Sequence, residues 1–430
     1  MTKINSFINN KMEVIIKLFL ILNPFIDLLT SICIHVLNIN LTIGIIFRFI
    51  FMFICIYYLL FIEKNKIVNK YLLILLLYCL LYCLNIVSYK SIGDSIYDTK
   101  QLLKIYYFPI VLITFYYFFK NREINSYFKL IYIVISIYLV LLIIPIITNT
   151  GFKSYSITKD GTVGWFNSAN EIGGLLSILS PILLIFLYRK NKLVFKILIS
   201  ISFIISILKI GTKVPILSLF ISLLITFIYF MVYYIKNKNY KKITLLFTYL
   251  IVLSITFILL LPKTTFYKNI ETHLKFLKID SVEELTSSTH YIDHFIFSER
   301  VTFYKKNKII FERSSLIDKL FGIGYKNKYL RKMVEMDYYD VFFCHGIFGF
   351  IIFMTPLIFI LVINRKKLLK NINFEKCMLL TSLILIVVLS LFSGHIIAAP
   401  SVSMYVALVI IILINYREEL NEDRFNSNKL

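Results

Sequence analysis

The chain has 430 residues with a net charge of +23; 59% of the residues are hydrophobic and only 17% are charged. A soluble domain of this length carries more charge, and here the apolar residues form long unbroken blocks that are typical of membrane spans. Lipid offers no hydrogen bonds to the backbone, so the spans must be helices or a closed barrel. The blocks lack the alternating pattern of barrel strands. Composition therefore predicts an all-α polytopic membrane protein and excludes a soluble globular one.

The positive charge would indicate nucleic-acid binding in a soluble protein. Here most of the basic residues fall in short breaks between apolar blocks, as the positive-inside rule and anionic headgroups require. We therefore expect membrane lipids, and no nucleic acid, as partners. The six cysteines lie in or beside apolar blocks without paired spacing, so we predict no metal and no cofactor.

Twelve candidate spans follow one another along the chain. They lie at about 14–36, 41–62, 71–88, 105–119, 127–148, 170–188, 193–209, 213–235, 243–261, 339–363, 377–396 and 398–415. No internal repeat divides the chain, so we treat 1–430 as a single transmembrane domain. One long polar segment, 262–338, separates the ninth span from the tenth.

Lysine and arginine are concentrated in alternate breaks, such as 64–70, 236–242 and 365–376, whereas the opposite short breaks hold few. Basic-rich short loops stay in the cytoplasm. The bias predicts that both termini are cytoplasmic and that 262–338 faces outward.

Charged residues inside spans are costly and mark function by default. Asp27 lies in the first span and Arg48 in the second, so a structural ion pair between helices and a polar site are both open. Lys104 precedes the hydrophobic part of the fourth span, and Lys213 opens the eighth. Either lysine can serve a site or simply extend its ammonium to the headgroups.

Two polar stretches lie on the predicted outer face ahead of the tenth span. The glycine-rich stretch 161–174 leads into the sixth span, where Asn167 or Asn170 is expected to cap the helix. Within 262–338, Ser298 is expected to begin an amphipathic basic helix that ends at the glycines of 322–324.

A third stretch, at the outer end of the tenth span, holds the carboxylates Glu335, Asp337 and Asp340. His395 follows at the outer end of the eleventh span. Cations can stabilise a leaving diphosphate, and a carboxylate can take a proton from an attacking hydroxyl. Helix capping and solvated helix starts are the structural alternatives.

In the order and spacing of these stretches the chain resembles the O-antigen polymerase and O-antigen ligase superfamily, best from about 160 to 405. The resemblance rests on Gly164, Phe166, Asn167 and Asn170, on Thr212-Lys213, on Ser298-x-Arg300, on Phe321-Gly-x-Gly324 and on the stretch from Glu335 to Gly349. Many ligases carry His-Asn where this chain has Glu335-Met336, and Lys213 stands where an arginine is common.

The resemblance implies a GT-C-like architecture in a bacterial cytoplasmic membrane, and an inverting, metal-independent glycosyltransferase that works outside on undecaprenyl-diphosphate-linked glycans. The departures favour a polymerase of the Gram-positive type that builds a surface polysaccharide or capsule. A ligase with a cell-envelope acceptor and a flippase of lipid-linked oligosaccharide remain alternatives. A chain-length regulator and a flippase are possible partners.

The expected roles follow from that comparison. Glu335 or Asp337 would activate the acceptor hydroxyl, with Arg300 at the catalytic centre. The expected substrate- and diphosphate-binding residues are Lys213, Arg48, Lys104, Asn167, Asn170 and His395.

Overall fold

The computed structural model describes residues 2–39, 42–120, 122, 124–155, 159–189, 192–279, 284, 286, 288–326 and 332–416. Within these ranges the regular structure is helical, apart from one isolated antiparallel bridge between Lys153 and Thr162. The predicted all-α class is confirmed. The last residues of the predicted cytoplasmic C-terminus, 417–430, lie outside the described residues.

Nine of the described helices precede the long loop. They are α1 Thr2–His35, α2 Ile43–Tyr57 with a π-helical extension Tyr58–Glu63, α3 Lys66–Tyr89, α4 Ile92–Phe119, α5 Asn125–Thr148, α6 Ala169–Arg189, α7 Leu193–Ile210, α8 Lys213–Lys236 and α9 Tyr240–Leu260. The described parts of the loop contain α10 Thr265–Leu277, α11 Thr289–Ile292, α12 Arg300–Arg313 and α13 Leu316–Phe321. The chain continues with α14 Asp337–Ile363, α15 Arg365–Leu369, α16 Phe374–Phe392 and α17 Pro400–Asn415.

Ten of the described helices are long and apolar enough to cross a membrane. The two other predicted spans also correspond to helices: α9 has 21 residues, and α17 is apolar but has only 16. Each of the twelve predicted spans thus overlaps a helix in the part of the chain that the structure describes.

Helix α17 forms the centre of the bundle, since every residue from Ser401 to Ile414 is buried. It packs against α4, α6 and α16, and α16 also packs against α6. At 1.5 Å per residue its 16 residues span about 24 Å, which is less than the hydrocarbon thickness of about 30 Å. The non-helical segment 393–399 directly precedes it.

Non-helical backbone at membrane depth needs hydrogen-bond partners from the protein. The backbone N–H of His395 donates to Oδ1 of Asp337 at 2.7 Å, and those of Ile396 and Ile397 donate to Oδ2 at 2.9 and 2.8 Å. Asp337 is the first residue of α14 and is buried. The carboxylate therefore holds the start of α17 against the start of α14.

The long loop between α9 and α14 is tied to the bundle at a buried ion pair between Lys90 and Asp98. Asp98 also accepts hydrogen bonds from the backbone N–H groups of Tyr325 and Lys326, both at 3.0 Å. Gly324 has a φ of +68°, and a side chain there would collide with both members of the pair. The glycine at 324 is thus required by a close approach to the outer ends of α3 and α4, and it does not end a long helix from Ser298 as expected. That helix, α12, already ends at Arg313.

Candidate active site

A cavity of about 90 Å³ opens beside the junction of α7 and α8, where residues of the long loop also line it. Its lining includes three cations, Lys159, Lys213 and Arg300, together with Asn170 and Ser298. We call it the cationic cavity. It brings together three of the residues expected at a diphosphate site: Lys213, Arg300 and Asn170.

Arg300 is placed by an unusual turn at the start of α12. Ser298 and Glu299 both have positive φ, at +53° and +66°, and neither caps the helix with its side chain. Asp293 does so instead: it accepts from the backbone N–H of Val301 at 3.0 Å and of Thr302 at 2.8 Å. The expected cap at Ser298 is therefore wrong, because the carboxylate of Asp293 accepts the hydrogen bonds from the free N–H groups at the start of α12.

Arg300 is 9% exposed, and its Nη2 lies 3.5 Å from Oε2 of Glu335. Its Nε is buried without a hydrogen-bond partner. Burial lowers the pKa of the guanidinium and the Glu335 carboxylate opposes that change, so the group remains charged. A buried cation with an unused donor is suited to an anionic ligand.

Glu335 is held in place by its own backbone. Its φ is +62°, and its N–H donates to Oδ2 of Asp340 at 2.9 Å, while the N–H of Val334 donates to Oδ1 at 2.9 Å. About a third of the Glu335 side chain is exposed. Asp340 thus orients the segment, and Glu335 is free to face both Arg300 and an incoming molecule.

Lys213 lies against the loop segment that precedes Arg300. Its Nζ donates to the carbonyl of Phe295 and lies 3.8 Å from the centroid of the Phe295 ring. The third cation, Lys159, is partly buried, which lowers its pKa. The cations come from three segments that are far apart in sequence, and only the folded loop brings them together.

His273 lies beside this cavity and was not anticipated from the sequence. It lines an adjoining cavity of about 500 Å³ with Lys159 and Ser298. Burial lowers its pKa to about 4, helped by Lys159 and Lys213, so the ring is neutral near pH 7. A single histidine in a polar loop carries no sequence signal, and its position became evident only in the fold.

A second cavity, of about 160 Å³, lies between α1, α2, α4, α5, α6 and α17. Its charged lining residues are Asp27, Arg48, Lys104 and Glu171, two of each sign. We call it the mixed-charge cavity. Arg48 and Lys104 therefore do not lie in the cationic cavity with Arg300, although all were expected at one diphosphate site.

The predicted pair between Asp27 and Arg48 forms. Arg48 also donates from Nη2 to Oδ1 of Asn23 at 2.7 Å, and Asn23 donates to the carbonyl of Ser401 at 3.0 Å. Oδ2 of Asp27 is buried without a hydrogen-bond partner. Arg48 is thus partly neutralised inside the bundle, in agreement with the structural alternative.

Asn167, before α6, and Asn170, in its first turn, line different cavities. Oδ1 of Asn167 accepts a hydrogen bond from Nε2 of His35 at 2.8 Å, and this residue lines the mixed-charge cavity, whereas Asn170 lines the cationic cavity. Neither caps α6: the hydroxyl of Ser168 accepts from the N–H of Glu171 at 3.3 Å. The expected asparagine cap is wrong, because α6 begins at Ala169 and leaves Ser168 in the capping position.

Asp337 and His395 lie together, as described for the fold. Both oxygens of Asp337 already accept backbone hydrogen bonds, and His395 itself has a φ of +59°. The Nε2 atom of His395 is buried without a hydrogen-bond partner. This arrangement favours Glu335 over Asp337 as the acceptor of a proton.

The fold and these sites define a multi-pass membrane protein whose charged cavities gather at one end of the bundle. The chain matches the model of the family described as O-antigen ligase like membrane protein over residues 9–290 and 278–420. It belongs to that family, which supports glycan transfer at a membrane and a lipid-linked glycan as substrate. No curated protein matches the chain.

Proposed function

We propose that the protein is an extracytoplasmic glycosyltransferase that polymerises undecaprenyl-diphosphate-linked repeat units into a surface polysaccharide. The observation that carries the proposal is the environment of Arg300. This cation is nine-tenths buried, its Nη2 pairs with Glu335, and its Nε has no hydrogen-bond partner. Lys159 and Lys213 line the same cavity. The three cations can thus bind a diphosphate next to a carboxylate, Glu335, that can activate the acceptor hydroxyl.

In the proposed reaction an acceptor hydroxyl oxygen forms a bond to the anomeric carbon of the donor sugar. The bond from that carbon to the diphosphate oxygen breaks, and its electron pair leaves with the diphosphate. Arg300, Lys159 and Lys213 stabilise the charge on the leaving group. Glu335 takes the proton of the hydroxyl. Attack opposite the leaving group inverts the anomeric configuration, and the step requires no metal.

A ligase is the second candidate, because the description of the matching family names O-antigen ligases. The two functions differ in what accumulates when the protein is missing. We expect a deletion strain to accumulate single repeat units on the lipid carrier, since polymerisation stops after one unit. The lipid-linked glycans are extracted and sized by mass spectrometry. Full-length polymer on the carrier would instead establish the ligase and overturn the polymerase.

The proposal also requires the charged cavities to face outward. The basic breaks 236–242 and 365–370 lie at the helix ends opposite the loop, as the positive-inside rule requires of a cytoplasmic face. Alkaline phosphatase fused at position 280 should be active, and the same enzyme fused at position 368 should be inactive. An active fusion at 368 with an inactive one at 280 would contradict the topology and the proposed reaction together.

A further inference from the structure

We infer that the mixed-charge cavity is a second ligand site, which binds one uncharged sugar ring of the acceptor glycan. The inference rests on the proposed function, since it names the partner of the donor held at the cationic cavity. It assigns to Arg48, Lys104 and Asn167 a different ligand from the diphosphate that they were expected to bind.

The start of α6 separates the two cavities. Asn167 and Glu171 line the mixed-charge cavity, and Asn170, which lies between them in sequence, lines the cationic cavity. Both cavities therefore lie at the loop end of the bundle, with less than one helical turn of α6 between them. A donor on one side and an acceptor on the other would be close neighbours.

The size of the cavity suits a sugar ring. One buried water requires a cavity volume of roughly 10–15 Å³. A cavity of about 160 Å³ therefore has room for on the order of ten waters. A single ring with its hydroxyls occupies a space of that order.

The charges of the mixed-charge cavity balance one another, so they do not favour an anion. Asp27 and Glu171 offset Arg48 and Lys104, and Arg48 is already paired with Asp27. The cationic cavity, by contrast, is lined by Lys159, Lys213 and Arg300, and no acid is among the lining residues that the structure describes. A diphosphate would thus prefer the cationic cavity, which leaves the mixed-charge cavity to an uncharged ligand.

The polar groups of the cavity are those that sugar hydroxyls use. Oδ2 of Asp27 is buried and lacks a donor, which a hydroxyl would supply. The other polar lining groups are hydroxyls, an amide and charged tips, and the walls between them are Tyr107, Tyr138 and Phe166. An apolar wall with a few placed polar groups is typical of small-ligand sites. Carboxylates and ammonium groups can both bond hydroxyls, since a hydroxyl donates and accepts.

Trp165 provides a direct readout. It is the sole tryptophan of the chain, and it adjoins Phe166 and Asn167, which line the cavity. The purified full-length protein in detergent is titrated with the neutral repeat-unit oligosaccharide released from the cell's own polysaccharide, and separately with inorganic pyrophosphate. Tryptophan fluorescence and calorimetry report binding.

We expect saturable binding of the oligosaccharide, and roughly tenfold or greater weakening in Lys104→Met and in Glu171→Gln, as for the loss of one charge-assisted hydrogen bond. Both variants leave the pair of Asp27 and Arg48 intact. Lys100→Met is the matched control: Lys100 is one turn away on α4 and exposed, so its binding should equal that of the wild type. Pyrophosphate binding should persist in Lys104→Met.

The outcomes separate this inference from the proposed function. No binding of the oligosaccharide to the wild type, or equal binding by wild type, Lys104→Met and Glu171→Gln, overturns the inference and leaves the polymerase proposal standing. Loss of pyrophosphate binding in Lys104→Met would also overturn it, because the cavity would then be part of the diphosphate site. Cavity-dependent sugar binding in a protein whose deletion leaves chain lengths normal supports the sugar site and overturns the polymerase.

Discussion

Replacing Arg300 with alanine is expected to abolish long-chain polysaccharide while the protein remains in the membrane. Arg300 supplies a buried cation and an unpartnered Nε within a cavity whose other cations are Lys159 and Lys213. Loss of one such donor to a developing negative charge costs about 10²–10³-fold in rate. Chain length is measured by gel electrophoresis of the surface polysaccharide, and membrane content by immunoblot.

Two further variants sharpen this prediction. Arg300→Lys keeps the charge but loses the planar fork, so intermediate chain lengths are expected. Arg313→Ala removes the same residue type from the exposed end of the same helix, and it should leave chain length unchanged. Normal polysaccharide from Arg300→Ala would contradict the proposed role of Arg300.

Replacing Asp337 with alanine is expected to unfold the protein instead of merely inactivating it. The substitution leaves the N–H groups of His395, Ile396 and Ile397 without their acceptor inside the bundle. Orphaned buried donors cost roughly 1–3 kcal/mol each, so the three together are expected to cost about 3–9 kcal/mol of the free energy of unfolding. Thermal unfolding in detergent measures the effect.

The control for Asp337 is Asp318→Asn, at the first turn of α13. There Ser315 already accepts the hydrogen bond from the Asp318 N–H, at 3.1 Å, so the unfolding temperature should change little. If Asp337→Ala unfolds at the wild-type temperature but makes no polysaccharide, Asp337 is the catalytic carboxylate and Glu335 is not.

Helix α12 of the long loop shows what a sequence pattern can predict about a helix and what it cannot. The pattern around Ser298 predicted a helix with basic residues, and α12 confirms it from Arg300 onward. Its apolar residues Tyr304 and Phe311 pack against Phe343 of α14, with ring centroids 5.8 and 5.5 Å apart. A periodic pattern indicates that a helix has an apolar face, but it does not say whether lipid or protein covers that face.

The residues of the candidate site were likewise predicted from the sequence only in part. The family resemblance was sufficient to propose Arg300, Lys213 and Glu335 as candidates, because these residues lie on its motifs. Residue type was insufficient to separate Arg48 and Lys104 from them, since a linear count of charges cannot show which side of α6 a side chain occupies.

By itself the sequence determined the membrane class, the position of each span and the single long polar segment. These follow from solvation, since the length of an apolar block and the backbone's need for internal hydrogen bonds are local properties. Only the tertiary structure decided that Asp337 braces the non-helical segment while Glu335, two residues earlier, faces Arg300. That division depends on the positive φ at Glu335 and on partners about sixty residues away, and no local pattern contains either.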